Sequence, residues 1–478
     1  MKKQKKNLLL RTARALGAGL DSARRTFLSY EAVEPSPTRR AFSGSSRSED
    51  QELSPKKRQL LISEAREQIR NFTVAGFALR KHLQFVSYYR FFADTPSKEF
   101  NSALERRVER WKRRENCDAA RRSNFDELIT LIEGHRATDG DVGVLRLASG
   151  RVQIIEADRI KNPRDIGEKS QEWTQGVKTS SSGAAEAYSI YRRLPSGQFE
   201  PERIVPARNF DLLAYRSRRD QIRGVSLFAP AIRALAYLYD GLDAALAKLK
   251  LEQRMGLVTK IAGGGNIAGV ESTDPAAVDA RLRENFGKEL LHLSLQPDDD
   301  AKILETNNPS ANFQTFCELV IRLIFSAFDL PYSFFDGSKT NFYGSKGEFE
   351  QYLDTVEKKQ APTVAMLDEW IFDWLLPNWL TDPFDPLADY FPAGWKIEDL
   401  RGSIGWRGSG LPLWRLFEYV KETQAAISAG LVDPFALADS FGESFSRNVE
   451  RISAARRLGE ENGIWLPYGE EQKINNGL

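Results

Sequence analysis

The chain is poor in the residues that do redox and metal chemistry. Its 478 residues include 2 cysteines (Cys117 and Cys317), 3 histidines (His82, His135 and His292) and 3 methionines. Two cysteines so far apart support neither a disulfide framework nor a thiolate zinc site, and scattered histidines do not make a metal centre. No cofactor and no metal site are expected. No stretch approaches the roughly 18 uninterrupted apolar residues of a membrane-spanning helix. The N-terminal MKKQKKNLLLRTARALGAGL begins like a secretory signal, but Arg11 and Arg14 interrupt its apolar part. Charge of one sign is lacking as well: 68 Lys+Arg face 66 Asp+Glu, a net charge of +2. A globally basic, DNA-coating protein is therefore excluded, although local basic runs remain. The glycine run Gly263-Gly264-Gly265 is followed by no Gly-Lys-Ser/Thr and sits in no βαβ unit, so it is not a phosphate loop.

What is present is organised around two helical stretches. From Val225 to Gly256, Phe228, Ile232, Leu235, Leu238, Leu242, Leu246 and Leu249 recur every three or four residues, one stripe of a helix. Pro230 falls where a first helical turn tolerates it, and Gly256 marks a stop. The answering stretch, Asn308 to Leu330, repeats the pattern at Phe313, Phe316, Val320, Ile324 and Ala327 and stops before Pro331. About fifty residues of Gly- and Asp-rich character lie between them, read as strand, short helix, then strand–turn–strand. Two long helices enclosing a small excursion predict a stalk carrying a head.

The remaining segments read as the body that anchors this stalk. Residues 1–50 hold eleven Lys/Arg against five Asp/Glu and grow rich in Pro, Ser and Gly, as a mobile basic arm would. Helices are expected from Ser54-Pro55, from Thr73 to Phe91, from Lys98 to Glu115 and from Asn124 to Gly134. The run RRVERWKRR, Arg106 to Arg114, has the composition of a nucleic-acid patch, but the interleaved Glu105, Glu109 and Glu115 favour a solvated helix face. Alternation on both sides of Ser149-Gly150 predicts a β-hairpin, followed by more short antiparallel strands to about Pro206. Glu133, His135, Asp139 and Asp141 cluster in sequence as a metal-dependent nuclease site would, yet no second acidic cluster follows, and Asp139-Gly140 reads as a turn. A polar loop rich in Gly and Ser, Asp336 to Lys346, precedes a third long helix from Gly347 to Leu376, which Pro362 should kink. Aromatic and Pro-rich linkage then leads to two helices near 412–429 and 444–461. The fold class is α+β, predominantly α.

Several segments together resemble the portal proteins of tailed bacteriophages, the lambda-like family. They are Ile155-Glu156-Ala157-Asp158-Arg159-Ile160 with Pro163, Gln221-Ile222-Arg223-Gly224-Val225 with Ala229-Pro230, and Phe328-Asp329-Leu330-Pro331-Tyr332, where the family reads L-G-V-P-Y. Asn341-Phe342-Tyr343-Gly344-Ser345-Lys346 and Ala426-Ile427-Ser428-Ala429-Gly430-Leu431 complete the set, Lys346 standing where the family has Arg. The resemblance implies the portal fold and a ring-shaped homo-oligomer, usually of twelve subunits, at one capsid vertex. Double-stranded DNA would be packaged and ejected through it. Its partners would be the major capsid protein, the terminase large subunit and a head–tail adaptor, without a membrane. The location implied is the virion, and the host cytoplasm during assembly.

The implied division is a basic arm (1–53), a wing (54–224), a first stem helix (225–256), a clip (257–306) and a second stem helix (307–331). A tunnel loop (332–346), a kinked wing helix with its aromatic link (347–395) and a helical crown (396–478) follow. Lys339, Asn341 and Lys346 are the expected DNA-channel residues, Asp298, Asp299 and Asp300 the clip's docking patch, and Leu235, Leu242, Leu246, Phe316 and Val320 the stem's subunit contacts. No catalytic residue is expected. The alternatives are a metal-dependent nucleic-acid enzyme built on the acidic cluster, and a peripheral membrane protein using the basic arm.

Overall fold

The computed structural model describes residues 48–163, 172–254, 257–260, 292–295, 311–339, 341–408, 416–440 and 445–464. The chain divides into two units, Met1–Glu52 and Leu53–Leu478. Of the first, one turn of helix at Glu49–Glu52 is described, and residues 1–47 of the basic arm lie outside the described residues.

The second unit opens with α1, Pro55–Asn71, and α2, Thr73–Val86. Pro55 occupies the first turn as expected, but Ser54 makes no side-chain cap. The helix expected to reach Phe91 ends at Ser87, and Tyr89–Ala93 forms β1 instead. The strand pairs antiparallel with β11, Ile404–Gly408, and Phe91 packs edge-on to Trp406 at 5.4 Å. Aromatic residues pack well on a pleated surface, and here a partner remote in sequence decides the outcome. It also brings Trp406 into one core with Trp111 and Trp370.

Helix α3, Lys98–Trp111, is capped by Ser97, and α4, Phe125–Asp139, by a capping box of Asn124 and Glu127. Two antiparallel sheets follow. The expected hairpin forms from β2 (Asp141–Arg146) and β3 (Val152–Glu156), with Val144 opposite Ile154. β8, Phe210–Ala214, returns to the other edge of β2. Strands β4 (Trp173–Thr174), β5 (Val177–Thr179), β6 (Ala185–Arg193) and β7 (Phe199–Pro206) form a four-stranded meander.

The stalk helices are α5, Ile232–Arg254, and α6, Ala311–Ala327. Pro230 lies in a turn ahead of α5 rather than inside it, the Ala231 N–H donating to Phe228 O at 2.8 Å. Near the far end of the stalk, β9 (Leu257–Lys260) and β10 (His292–Leu295) pair in parallel. Asp298, Asp299 and Asp300 lie outside the described residues. Helix α7 runs from Phe342 to Trp370 with Pro362 inside it, and continues through a π-turn at Ile371–Leu375 to Thr381. The C-terminal part holds α8 (Leu416–Ser428), α9 (Pro434–Ser440) and α10 (Phe445–Glu461), one short helix more than expected.

Three cores result. The first gathers Trp111, Trp370, Trp379 and Trp406 around α3, α4 and the end of α7. The second joins α1 and α2 to the roots of the stalk helices and to Tyr352 and Val356 of α7. The third lies between the two sheets, around Ile155, Ile190 and Phe210.

Candidate functional site

The acidic cluster singled out in the sequence is the centre of a buried ion network. Asp141, fully buried, takes a two-pronged contact from Arg223 (Nε–Oδ2 2.7 Å, Nη2–Oδ1 2.8 Å), a bond from Arg58 at 2.7 Å and the Gly224 N–H at 2.8 Å. Burial alone would raise its pKa, but Arg223 and Arg58 hold the carboxyl below its ordinary range. Arg223 uses its remaining donors on the carbonyls of Ile160 (3.1 Å), Gln175 (2.7 Å) and Ala157 (2.8 Å). Each of the guanidinium's five N–H donors thereby has an acceptor. Asp139 is gripped by Arg66 at 2.8 and 2.6 Å and touched by His135 Nδ1 at 3.2 Å, while Arg66 also reaches Asp158 at 3.1 Å. Glu133 accepts from Thr363 and lies 3.3 Å from Arg136. Arginines thus hold three of these acids, and His135 lies against one of them. Among the described residues no group of acids, histidines and cysteines is placed to hold a metal. The nuclease alternative finds no support in this geometry.

The network explains why motif segments far apart in sequence belong together. Arg223 of the Gln221-to-Val225 segment binds carbonyls of the Ile155-to-Ile160 segment, and Asp158 is held by Arg66 and Arg193. Gln221 Nε2 donates to Arg223 O at 2.8 Å and fixes the turn from which that arginine projects. At Gly224 a Cβ would meet Gly140 O at 1.9 Å, and Gly140 itself has φ +94°. The two backbones approach so closely that only glycine fits at either position.

The stalk carries its apolar stripe in two parts. Phe228, Leu235 and Leu238 are buried in the second core, but Leu242 and Leu246, farther along the same stripe, are 42% and 52% exposed. On α6, Val320 and Ile324 face inward, while Phe316, Leu319 and Leu323, spaced three and four apart, are 44%, 56% and 54% exposed. Leu235 and Val320 therefore have no surface to offer a neighbour, whereas Leu242, Leu246 and Phe316 do. The sequence reading missed Leu319 and Leu323, although a second stripe displaced by one residue from Val320 and Ile324 is visible in the chain.

The polar loop is shorter than expected. The Asn341 side chain accepts the Gly344 N–H at 2.7 Å and starts α7 at Phe342. An asparagine cap contributes about 1 kcal/mol and offsets about one of the two helical glycines behind it, at roughly 1 kcal/mol each. Gly344, expected in the polar loop, is helical, and Lys346 lies in the second turn of α7. Lys339 falls in a 3₁₀ turn, Gly337–Lys339. The loop's other end is a Schellman stop: the Leu330 N–H bonds Phe325 O at 2.9 Å and the Asp329 N–H bonds Ser326 O at 3.1 Å. Asp329 has φ 56°, so it takes the left-handed conformation where the family carries glycine. Lys359 Nζ secures it, at 2.6 Å from Phe328 O and 2.8 Å from the Asp329 carboxylate. The Ala426-to-Leu431 segment ends α8 in the same way, with Gly430 at φ 69°.

A profile described as phage portal protein, lambda family, matches residues 36–360, well over half of the chain. The chain belongs to the lambda family of phage portal proteins. A search of curated proteins returns no match. Similar solved structures include the virion of a native gene transfer agent particle, at 14% identity and TM-score 0.46, covering 80% of this chain and 93% of that one. A second is the neck of the native particle computed with C12 symmetry, at 14% and 0.47, covering 82% and 94%. A third is the neck of the empty particle computed with C6 symmetry, at 15% and 0.47, covering 80% and 93%.

Proposed function

We propose that this portal protein assembles as a ring at one capsid vertex, with twelve as the copy number implied by the family resemblance, and that double-stranded DNA enters and leaves through it. The observation that supports the reading is the uncovered apolar surface of the stem: Leu242 and Leu246 on α5, Phe316, Leu319 and Leu323 on α6. Large apolar side chains left half exposed at helical spacing mark a surface that a neighbour covers. A second copy of the same stem is a natural occupant in a closed ring. The ring acts as a conduit and docking platform in the virion, and in the host cytoplasm during assembly. The major capsid protein surrounds it, and the terminase large subunit and then a head–tail adaptor dock on the clip, where Asp298, Asp299 and Asp300 form the acidic patch. Lys339 and Lys346, near the helix cap Asn341, supply exchangeable phosphate contacts that position DNA without reading its sequence. The protein carries out no bond chemistry itself.

Purified protein should appear as rings in negative stain, and Leu242→Asp should leave folded monomers, because a neighbour would have to bury an unpaired carboxylate. Wild-type protein that stays monomeric at high concentration in light scattering sinks the ring. In assembled capsids, Lys339→Ala with Lys346→Ala should leave rings intact and reduce packaged or retained DNA. Unchanged packaging removes the lysines from the conduit.

A further inference from the structure

Helix α3 carries the basic run that the portal reading leaves without a role. Its cations fall into two sets. Arg107 pairs with Asp385, Lys112 with Glu109 at 3.2 Å, and Arg114 with Glu115 at 2.8 Å. Arg106, Arg110 and Arg113 are exposed, and none of their guanidinium groups makes an ion pair or hydrogen bond among the described residues. Arg106 and Arg110 stand one turn apart on α3, Arg113 lies two residues past its end, and the three make up one row. The row lines an open groove of about 660 Å³, with Phe91 and Ser102 on its wall and Arg447 of α10 also lining it. Glu105 and Glu109 also border the groove, but Glu105 is bonded by Arg447 at 3.1 Å and Glu109 by Lys112. Three guanidinium groups without an ion pair thus line one groove, in a chain whose whole net charge is +2.

We propose that Arg106, Arg110 and Arg113 form a sequence-independent contact for the phosphate backbone of duplex DNA, separate from the Asp336-to-Lys346 loop. A guanidinium fork matches a phosphate's two free oxygens, and a row of forks matches a strand's succession of phosphates. The alternative polyanion is an acidic peptide, whose carboxylates a guanidinium fork also matches. The choice of DNA rests on the portal reading, which brings a duplex to this chain.

The test is binding of a labelled mixed-sequence duplex to the purified full-length protein, followed by anisotropy over a salt series. Arg106→Ala, Arg110→Ala and Arg113→Ala combined should lower the slope of log K on log salt by about 3, at roughly 0.9 per phosphate contact. The triple Lys variant should keep most of that slope, since it keeps the charge. An alanine variant with an unchanged slope overturns the proposal. So does polyglutamate that displaces the labelled duplex at lower concentration than unlabelled duplex does, which assigns the row to an acidic protein segment. Negative stain of the same samples separates the two readings. Rings with an unchanged slope reject the arginine row alone, and a lost slope without rings rejects the ring alone.

Discussion

At the buried ion hub Arg223 finds an acceptor for each of its donors inside its own chain, and is 1% exposed. On the stem, Leu242, Leu246, Phe316, Leu319 and Leu323 leave 42–56% of their surface uncovered. The side chain that is costliest to bury is completely enclosed, while those that gain most from burial stay in solvent. The difference separates what one chain can finish by itself from what it leaves to an assembly. An ion network needs fixed geometry before anything else can dock, because a half-satisfied buried charge is worse than none. Apolar stem surface tolerates exposure in the monomer and contributes only when a neighbour covers it.

The sharpest way to break this comparison is at the hub. Arg223→Ala leaves Asp141 with Arg58 as its remaining arginine and opens three carbonyls, and should cost about 3–5 kcal/mol of stability in urea denaturation. A loss below about 1 kcal/mol would mean that the network adds little to the fold. Next in size is a matched pair on one helical stripe. Leu235→Ala should cost about 2–5 kcal/mol through its cavity. Leu242→Ala should change monomer stability by less than about 0.5 kcal/mol while weakening ring assembly in sedimentation. Equal effects of the two would erase the boundary between body and stem.

A smaller effect is read through pH. Burial, with Lys359 and Arg136 nearby, lowers the pKa of His82 from 6.5 to about 3. Between those values the unfolded chain takes up a proton that the folded chain refuses, so stability falls as pH drops through this window. Asp368 has the opposite sign. Burial raises it from 3.8 to about 6, against the Trp406 N–H and Arg401, so its contribution falls as pH rises from 3.8 to 6. His82→Asn should flatten the acid limb of a stability–pH curve, and Asp368→Asn should steepen it. Asn341→Ala removes the cap of α7 for about 1 kcal/mol and should leave rings unchanged.

How much of this was legible in the chain depends on how far apart the interacting residues lie. The β2–β3 hairpin and the stalk helices follow from local alternation and helical spacing, and both appear in the structure. The hub did not show itself. Arg58 and Arg66 read as the polar face of an amphipathic helix, and their acids lie 83 and 73 positions away. β1 is a strand because of β11, and nothing near Tyr89 in sequence reveals that. On the stem, periodicity identifies the stripe but not where the body ceases to cover it, so Leu235 and Leu242 looked equivalent. At the loop, glycine content argued for irregularity, and the Asn341 cap together with Phe349, Tyr352 and Val356 buried farther along α7 reversed the outcome.

The two pinned ends of the Pro331-to-Asn341 segment set a limit on reach. Lys359 of α7 holds the stop at Phe328-Asp329, and Asn341 holds the start of α7, so both ends of the segment are fixed to one helix. A strand that must go out and come back can use only half its contour. At about 3.5 Å per residue, the ten residues from Tyr332 to Asn341 extend at most about 18 Å from their anchors. In a ring, that tether length sets the widest bore whose axis these loops can approach. A wider opening leaves any contact with the duplex to the helices themselves.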